Sequence, residues 1–214
     1  MADLDLWKQH LGTVPEAVWE RTELESLVLA DNDLVEVSEA IGRLHRLRML
    51  DLGHNRLELL PEALGDLEGL SDFLYLHDNQ LRTLPRSIAK LTRLRYLNIS
   101  NNAFTALPDQ VCELTALVEL RALDNALTSL PASIGKLTKL RELHLRNNRL
   151  TRLPDELGQL TALRQLDLRG NPLESLPDSL AALPALDKLD LRWTTFVLPA
   201  WCSELEARGV LVYR

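Results

Sequence analysis

The sequence predicts an α/β solenoid, a horseshoe with a parallel concave β-sheet and short outer helical or 3₁₀ segments. Three observations predict it: a fixed internal period, a strand-type leucine alternation inside each period, and a Leu-Pro pair that follows it. Asparagine marks the register at Asn32, Asn55, Asn79, Asn102, Asn125, Asn148 and Asn171, at spacings of 23, 24, 23, 23, 23 and 23 residues. A period of this length is the mark of stacked supersecondary units. One step outward at either end reaches Gln9 and Thr194, so nine register positions cover residues 4 to 199.

Each element follows from the skeleton LxxLxLxxNxLxxLPxxIxxLxx. The LxL segment, Leu50-Asp51-Leu52 for instance, alternates inward and outward as a strand must. One such strand per coil, always running the same way, makes the sheet parallel. The Asn stands where the chain turns inward, and its amide both donates and accepts, so it can hold backbone groups that the turn leaves unpaired. Stacked Asn residues then form a ladder along the solenoid. The Leu-Pro pairs, such as Leu60-Pro61, Leu84-Pro85 and Leu107-Pro108, fix the turn into the outer segment, where Pro suits a helix start. The xxIxxL stretch is that outer piece, at helical spacing.

No coil buries its own apolar face, so stability comes from stacking. Roughly five large aliphatic side chains per coil, each contributing about 1.5–3 kcal/mol when buried, carry it. The ends must be capped, and Gln9 and Thr194 break the Asn ladder there. The expected organisation is an N-terminal half-repeat and cap at 1–23, repeats at 24–198 and a C-terminal cap at 199–214. In that cap a helix is expected from Pro199 to Gly209, then a strand from Val210 to Tyr213. The single 24-residue spacing places an extra residue around Leu70 to Leu74. It reads either as a bulge that re-aims neighbouring side chains or as a loop insertion.

The 23-residue LPxxIxxLxxLxxLxLxxNxL pattern resembles the intracellular leucine-rich-repeat class. That class takes in Ras-suppressor-type and Scribble-type scaffolds, plant intracellular Ras-group proteins and many small bacterial proteins. The likeness covers nearly the whole sequence, and the Ala- and Arg-rich style resembles the free-standing bacterial members. It implies a curved leucine-rich-repeat solenoid whose concave sheet binds partners, often in signalling. Some bacterial relatives carry a ubiquitin-ligase or kinase domain beside the repeats; the repeats and cap here leave no room for one.

Hydrophobic residues make up 46% of the 214 residues and charged residues 26%, a globular composition. The formal net charge of -7 argues against nucleic-acid binding, which draws on surplus Lys and Arg. No apolar run approaches a membrane span, and the N-terminus lacks a basic segment followed by an apolar one. Only two cysteines occur, Cys112 and Cys202, far apart, which favours a reducing compartment. The expectation is a cytoplasmic protein, a monomer by default, with no nucleic-acid or membrane partner; export as a bacterial effector by another route stays open.

Function is expected at the variable strand positions, six, four and two residues before each Asn. Met49, Phe73, Tyr75, His77 and Tyr96 fall there on coils three to five, in a chain that is only 5% aromatic. Exposed clustered aromatics are what binding hot spots use; large side chains that merely cover the sheet are the alternative. Arg121, His144 and Arg146 flank the patch. A second candidate is the row Arg146, Arg169 and Arg192, on strands about 4.8 Å apart, which could receive carboxylate or phosphate. Glu142, Asp167 and Asp190 project from the same coils, and cross-strand pairing would neutralise the row. Trp193 belongs either to a binding edge or to the cap.

Catalytic readings find no support. No Ser, His and acid form a nucleophile motif, and IGKLTKL at Ile134 lacks phosphate-loop glycines. His54, His77, Asp51 and Asp78 lie near one another but lack metal-ligand spacing, so no metal and no cofactor are expected. Cys112 occupies a position where other coils carry Gly135, Gly158 and Ala89, and reads as a small packing residue. The sequence thus points to a non-catalytic module that binds another protein on its concave face in intracellular signalling. The alternative is an adaptor for an acidic or phosphorylated segment, read by the Arg row.

Overall fold

The computed structural model describes residues 2–214; residue 1 of the expected N-terminal half-repeat lies outside the described residues. Ten three-residue strands form one parallel sheet in sequential order. They are β1 (Asp3–Asp5), β2 (Ser26–Val28), β3 (Met49–Asp51), β4 (Phe73–Tyr75), β5 (Tyr96–Asn98), β6 (Glu119–Arg121), β7 (Glu142–His144), β8 (Gln165–Asp167), β9 (Lys188–Asp190) and β10 (Leu211–Tyr213). Helix α1 (Glu16–Trp19) and helix α2 (Trp201–Ala207) stand near the two ends, and 3₁₀ segments of five residues fill the seven coils between. This is an open leucine-rich-repeat horseshoe.

The central leucine of each strand from Leu27 to Leu189 is buried, while its two neighbours face outward on most strands. A second buried aliphatic follows two residues on, as in Leu52, Leu76 and Ile99. Ile41, Leu64, Ile88, Val111, Ile134, Leu157 and Leu180 enter the same core from the outer segments. Six 3₁₀ segments have Pro at the residue before the first turn, with the extended backbone that Pro supports (Pro61, φ -67°, ψ 150°). The outer pieces settle as 3₁₀ because each is short and closes on an i→i−3 bond, as where the Leu67 N–H donates to the Leu64 carbonyl. Gly65 allows neighbouring segments to close up, since a Cβ there would run into the Ser87 carbonyl oxygen. Cys112 is fully buried at the matching position of its own coil, and burial pushes its thiol pKa up.

The Asn ladder satisfies backbone groups inside the turn. Asn55 Oδ1 accepts from the N–H groups of Asn32 (3.1 Å) and Leu34 (3.0 Å), while its Nδ2 donates to the carbonyls of Leu29, Leu52 and Gly53, each at 3.0 Å. At the first register position the Gln9 N–H donates to Asn32 Oδ1 (2.9 Å). At the last, Thr194 turns back on its own coil, its hydroxyl donating to the Leu191 carbonyl (2.6 Å).

One open alternative is decided and one expectation, the start of the last helix, is corrected. The extra residue of the long coil is an insertion in the connection at Ser71, ahead of β4. The ladders Met49↔Phe73 to Asp51↔Tyr75 and Phe73↔Tyr96 to Tyr75↔Asn98 run unbroken on either side, so no bulge interrupts the strand. Helix α2 begins at Trp201 rather than Pro199, because Pro199 supplies the carbonyl for its first bond, from the Cys202 N–H (3.1 Å). The helix stops as expected at Gly209, whose φ of 90° suits glycine. There the Gly209 N–H reaches Glu206 O (2.9 Å) and the Val210 N–H reaches Leu205 O (3.0 Å), with Val210 and Leu205 both buried in the core. β10 then adds to β9.

Candidate binding face

Successive strands bring the aromatic side chains into one cluster. Phe73 and Tyr75 lie on one strand face, stacked at 5.8 Å and 10° between ring planes. Tyr96, in register with Phe73 on the next strand, tilts against both, at 5.4 Å from Phe73 and 5.1 Å from Tyr75. His77 meets Tyr75 edge-on at 6.0 Å. Met49 stands in register with Phe73 on the other side. Arg121 lays its guanidinium 5.9 Å from the Tyr96 ring centre, within cation–π range, and is itself tied to Glu119. Within this cluster Phe73, 42% exposed, stands clearest of its neighbours; Met49, Tyr75, His77 and Tyr96 are half-buried. Burial pushes the Tyr96 phenol up to about 12, and raises Tyr75 for the same reason. Beside the cluster, at the inserted residue, lies a groove of about 210 Å³ lined by Asp72, Phe73, Arg95, Tyr96, Val118 and Glu119.

The polar flank does not join the cluster beyond Arg121. His144 bonds Glu142 through Nε2 (3.1 Å), with Glu119 at 3.8 Å. Arg146 reaches Asp124 (3.3 Å), and its Nε is buried with no partner. Of the Arg row, Arg169 forks onto Asp167 (2.9 and 2.6 Å) and Arg192 onto Asp190 (2.9 and 2.8 Å). Burial opposes the charge on Asp190, yet Arg192 and Arg169 outweigh it and hold the carboxyl below its ordinary value. Asp167 and Asp190 pair with the row as the expected neutralisation has it, and the Arg side chains laid on them leave both buried. Ala30 and Ser100, also read as outward, are buried as well. Trp193 is 70% exposed in a left-handed backbone conformation (φ 65°).

Two clusters of titratable groups carry no spacing signal in the sequence. Donor atoms of His54, His77 and Asp78 lie within 4.8 Å of one another, as do those of Glu119, Glu142 and His144. Both sets draw side chains from adjacent coils, so their spacing is that of the solenoid and matches no metal motif. The available signal was the register itself: His54 and Asp78 stand in the position just before the Asn, which is left-handed in both coils (φ 53° and 54°).

The family described as leucine rich repeat matches residues 2–57, 22–81 and 138–196, and the leucine-rich repeat region matches 72–148. The chain belongs to the leucine-rich-repeat family. Among curated relatives it is 36% identical, over 98 residues, to the volume-regulated anion channel subunit LRRC8A of Homo sapiens, an alignment covering 45% of this chain and 12% of that protein. It superposes with a TM-score of 0.84, at 28% identity, on the ectodomain of the plant membrane receptor kinase GASSHO1/SCHENGEN3 from Arabidopsis thaliana, solved in complex with CASPARIAN STRIP INTEGRITY FACTOR 2; 99% of this chain and 26% of that one are covered. The plant peptide hormone receptor RGFR1, in complex with RGF2, aligns over 92% of this chain and 32% of its own, at 34% identity and a TM-score of 0.80. The chain thus spans about an eighth of the channel subunit and about a quarter to a third of the receptors.

The repeat family and these receptor neighbours support a protein-interaction module. They also correct the expectation of a cytoplasmic protein. The similar chains are a membrane channel subunit and receptor ectodomains, which point to extracellular or membrane-associated repeats. The cysteine argument failed because Cys112 and Cys202 are buried packing residues, and such residues carry no compartment signal. Among the described residues, no helix is long and apolar enough to cross a membrane.

Proposed function

We propose that this chain binds a segment of a partner protein on its concave face, centred on Phe73, Tyr75 and Tyr96, with Arg121 as the polar flank and Met49 at the edge. The observation that carries this reading is three mutually packed aromatic rings on a sheet face. Exposed aromatic clusters of this kind concentrate binding energy, and half-buried rings are already held in place, so little side-chain entropy is lost on binding. The two plant receptors, each solved in complex with a ligand, support a peptide or protein partner and a signalling role. The repeats at 24–198 supply the face, with 1–23 and 199–214 closing its ends.

Capture of an acidic or phosphorylated segment by the Arg row has less support. The forks of Arg169 and Arg192 are occupied by Asp167 and Asp190, and an incoming anion would have to displace buried carboxylates. His144 and Arg146 form a separate polar area next to the patch and would contact only a partner long enough to cross several coils.

Affinity capture from source-cell fractions, membrane and secreted ones included, tests the assignment. Wild type is compared with a Tyr75→Ala, Tyr96→Ala double variant of confirmed melting behaviour. A protein held by wild type and lost by the folded variant is the expected result. Equal capture by both baits would move the site away from the aromatic cluster.

A further inference from the structure

We propose that His54, His77 and Asp78 form a binding site for a single zinc-type divalent ion on the concave face, beside the aromatic cluster. The three side chains surround a common point without bonding one another. His54 Nδ1 stands 3.5 Å and His77 Nε2 stands 3.9 Å from Asp78 Oδ2, longer than a hydrogen bond. The two rings meet edge to face at 4.8 Å. Around tetrahedral zinc, with bonds of about 2.0–2.1 Å, donors stand about 3.3 Å apart, so closing on an ion takes a contraction of about an ångström. His54 is exposed and can supply that movement.

Further features point the same way. His77 presents Nε2, not the buried Nδ1, toward Asp78. The ring is seated by its neighbour coil: a Cβ on Gly53 would stand 2.5 Å from His77 Cε1, so glycine at this position lets the imidazole lie where it does. Asp51, its carboxylate accepting from the Gly53 N–H (2.8 Å), adds a second carboxylate on the strand that leads to His54. Equivalent places elsewhere are closed by ordinary pairs. Asn147 Nδ2 donates to Asp124 (2.7 Å), and the Glu119–Glu142–His144 group is closed by the His144–Glu142 bond and by Arg121 on Glu119.

Two imidazoles and one carboxylate suit zinc and its neighbours in the transition series, whereas calcium and magnesium require oxygen donors. Three protein ligands leave a further coordination position, open to the concave side where Tyr75 stands 6.0 Å from the His77 ring. That position takes water, or a carboxylate or carbonyl oxygen of a partner. The ion site stands on its own geometry and does not depend on the partner reading above.

The full chain, stripped with chelator, is titrated with zinc chloride by calorimetry, and cobalt is used in parallel for its visible absorption. One ion per chain is expected, bound at least about tenfold more weakly by His54→Ala and by His77→Ala. Gly53→Ala is expected to weaken binding by displacing His77, while His45→Ala leaves it unchanged. His54 is exposed, so its variant keeps the test valid should His77→Ala prove unstable. Binding that both histidine variants retain, a stoichiometry below one, or equal loss on His45→Ala would overturn the proposal.

Discussion

Asn55 joins two coils through one amide, which makes the consequence of its loss specific. In Asn55→Ala the N–H groups of Asn32 and Leu34 lose their partner inside a buried turn, while the Leu29 carbonyl keeps the Asn32 Nδ2 donor. Each backbone group so stranded costs roughly 1–3 kcal/mol. The midpoint of thermal unfolding is expected to fall by several degrees, at about 2–4 °C per kcal/mol for a chain of this size; an unchanged midpoint would mean that water fills the ladder. Tyr96 yields a second prediction. Its phenol, held at about 12 by burial, keeps its proton in the folded state where an unfolded tyrosine, near 10, has lost it. The unfolded chain therefore binds fewer protons between those values, and stability falls as pH rises through that window. Titration of tyrosine absorbance should show one group ionising well above the others, and Tyr96→Phe should remove that step.

The unit of stability is the strand with its outer segment, and neighbouring units hold one another. Leu120, at the centre of β6, is fully buried. Leu120→Ala is expected to lower stability by about 2–5 kcal/mol, read from the denaturant midpoint, and to loosen the coils on both sides, read by hydrogen exchange. These elements were legible because every position in the repeat does one physical thing. Leucine alternation set the strands, the Asn register set the ladder, and Pro before the outer turn set its start. The extra residue of the long coil shows the limit. Spacing revealed that one residue was extra but not where it would be absorbed, and the connection at Ser71 accommodates it more easily than a three-residue strand that must keep its ladder on both sides.

Across the whole molecule, what faces outward was only partly legible. Alternation placed Phe73, Tyr75 and Tyr96 together correctly because their positions lie within the strands, where side-chain direction is fixed. It does not give how far an outward group is covered: Asp167 and Asp190 are buried by the Arg169 and Arg192 side chains bonded to them. The register brought His54, His77 and Asp78 near one another, but it could not give their donor distances, since His54 and Asp78 sit in the left-handed turn after the strand, where the rule of alternation has ended. Nor does the repeat motif record the compartment: chains similar to this one include a channel subunit and a receptor-kinase ectodomain.

Whether a partner seats on the aromatic sheet face can be read by crosslinking. One chain carries a photoreactive phenylalanine analogue in place of Phe73, and a second carries it in place of Arg86 on an outer 3₁₀ segment. Irradiation with the captured partner is predicted to give a covalent adduct from position 73 and none from position 86. An adduct from position 86 alone would put the partner on the outer face and contradict a concave, aromatic site.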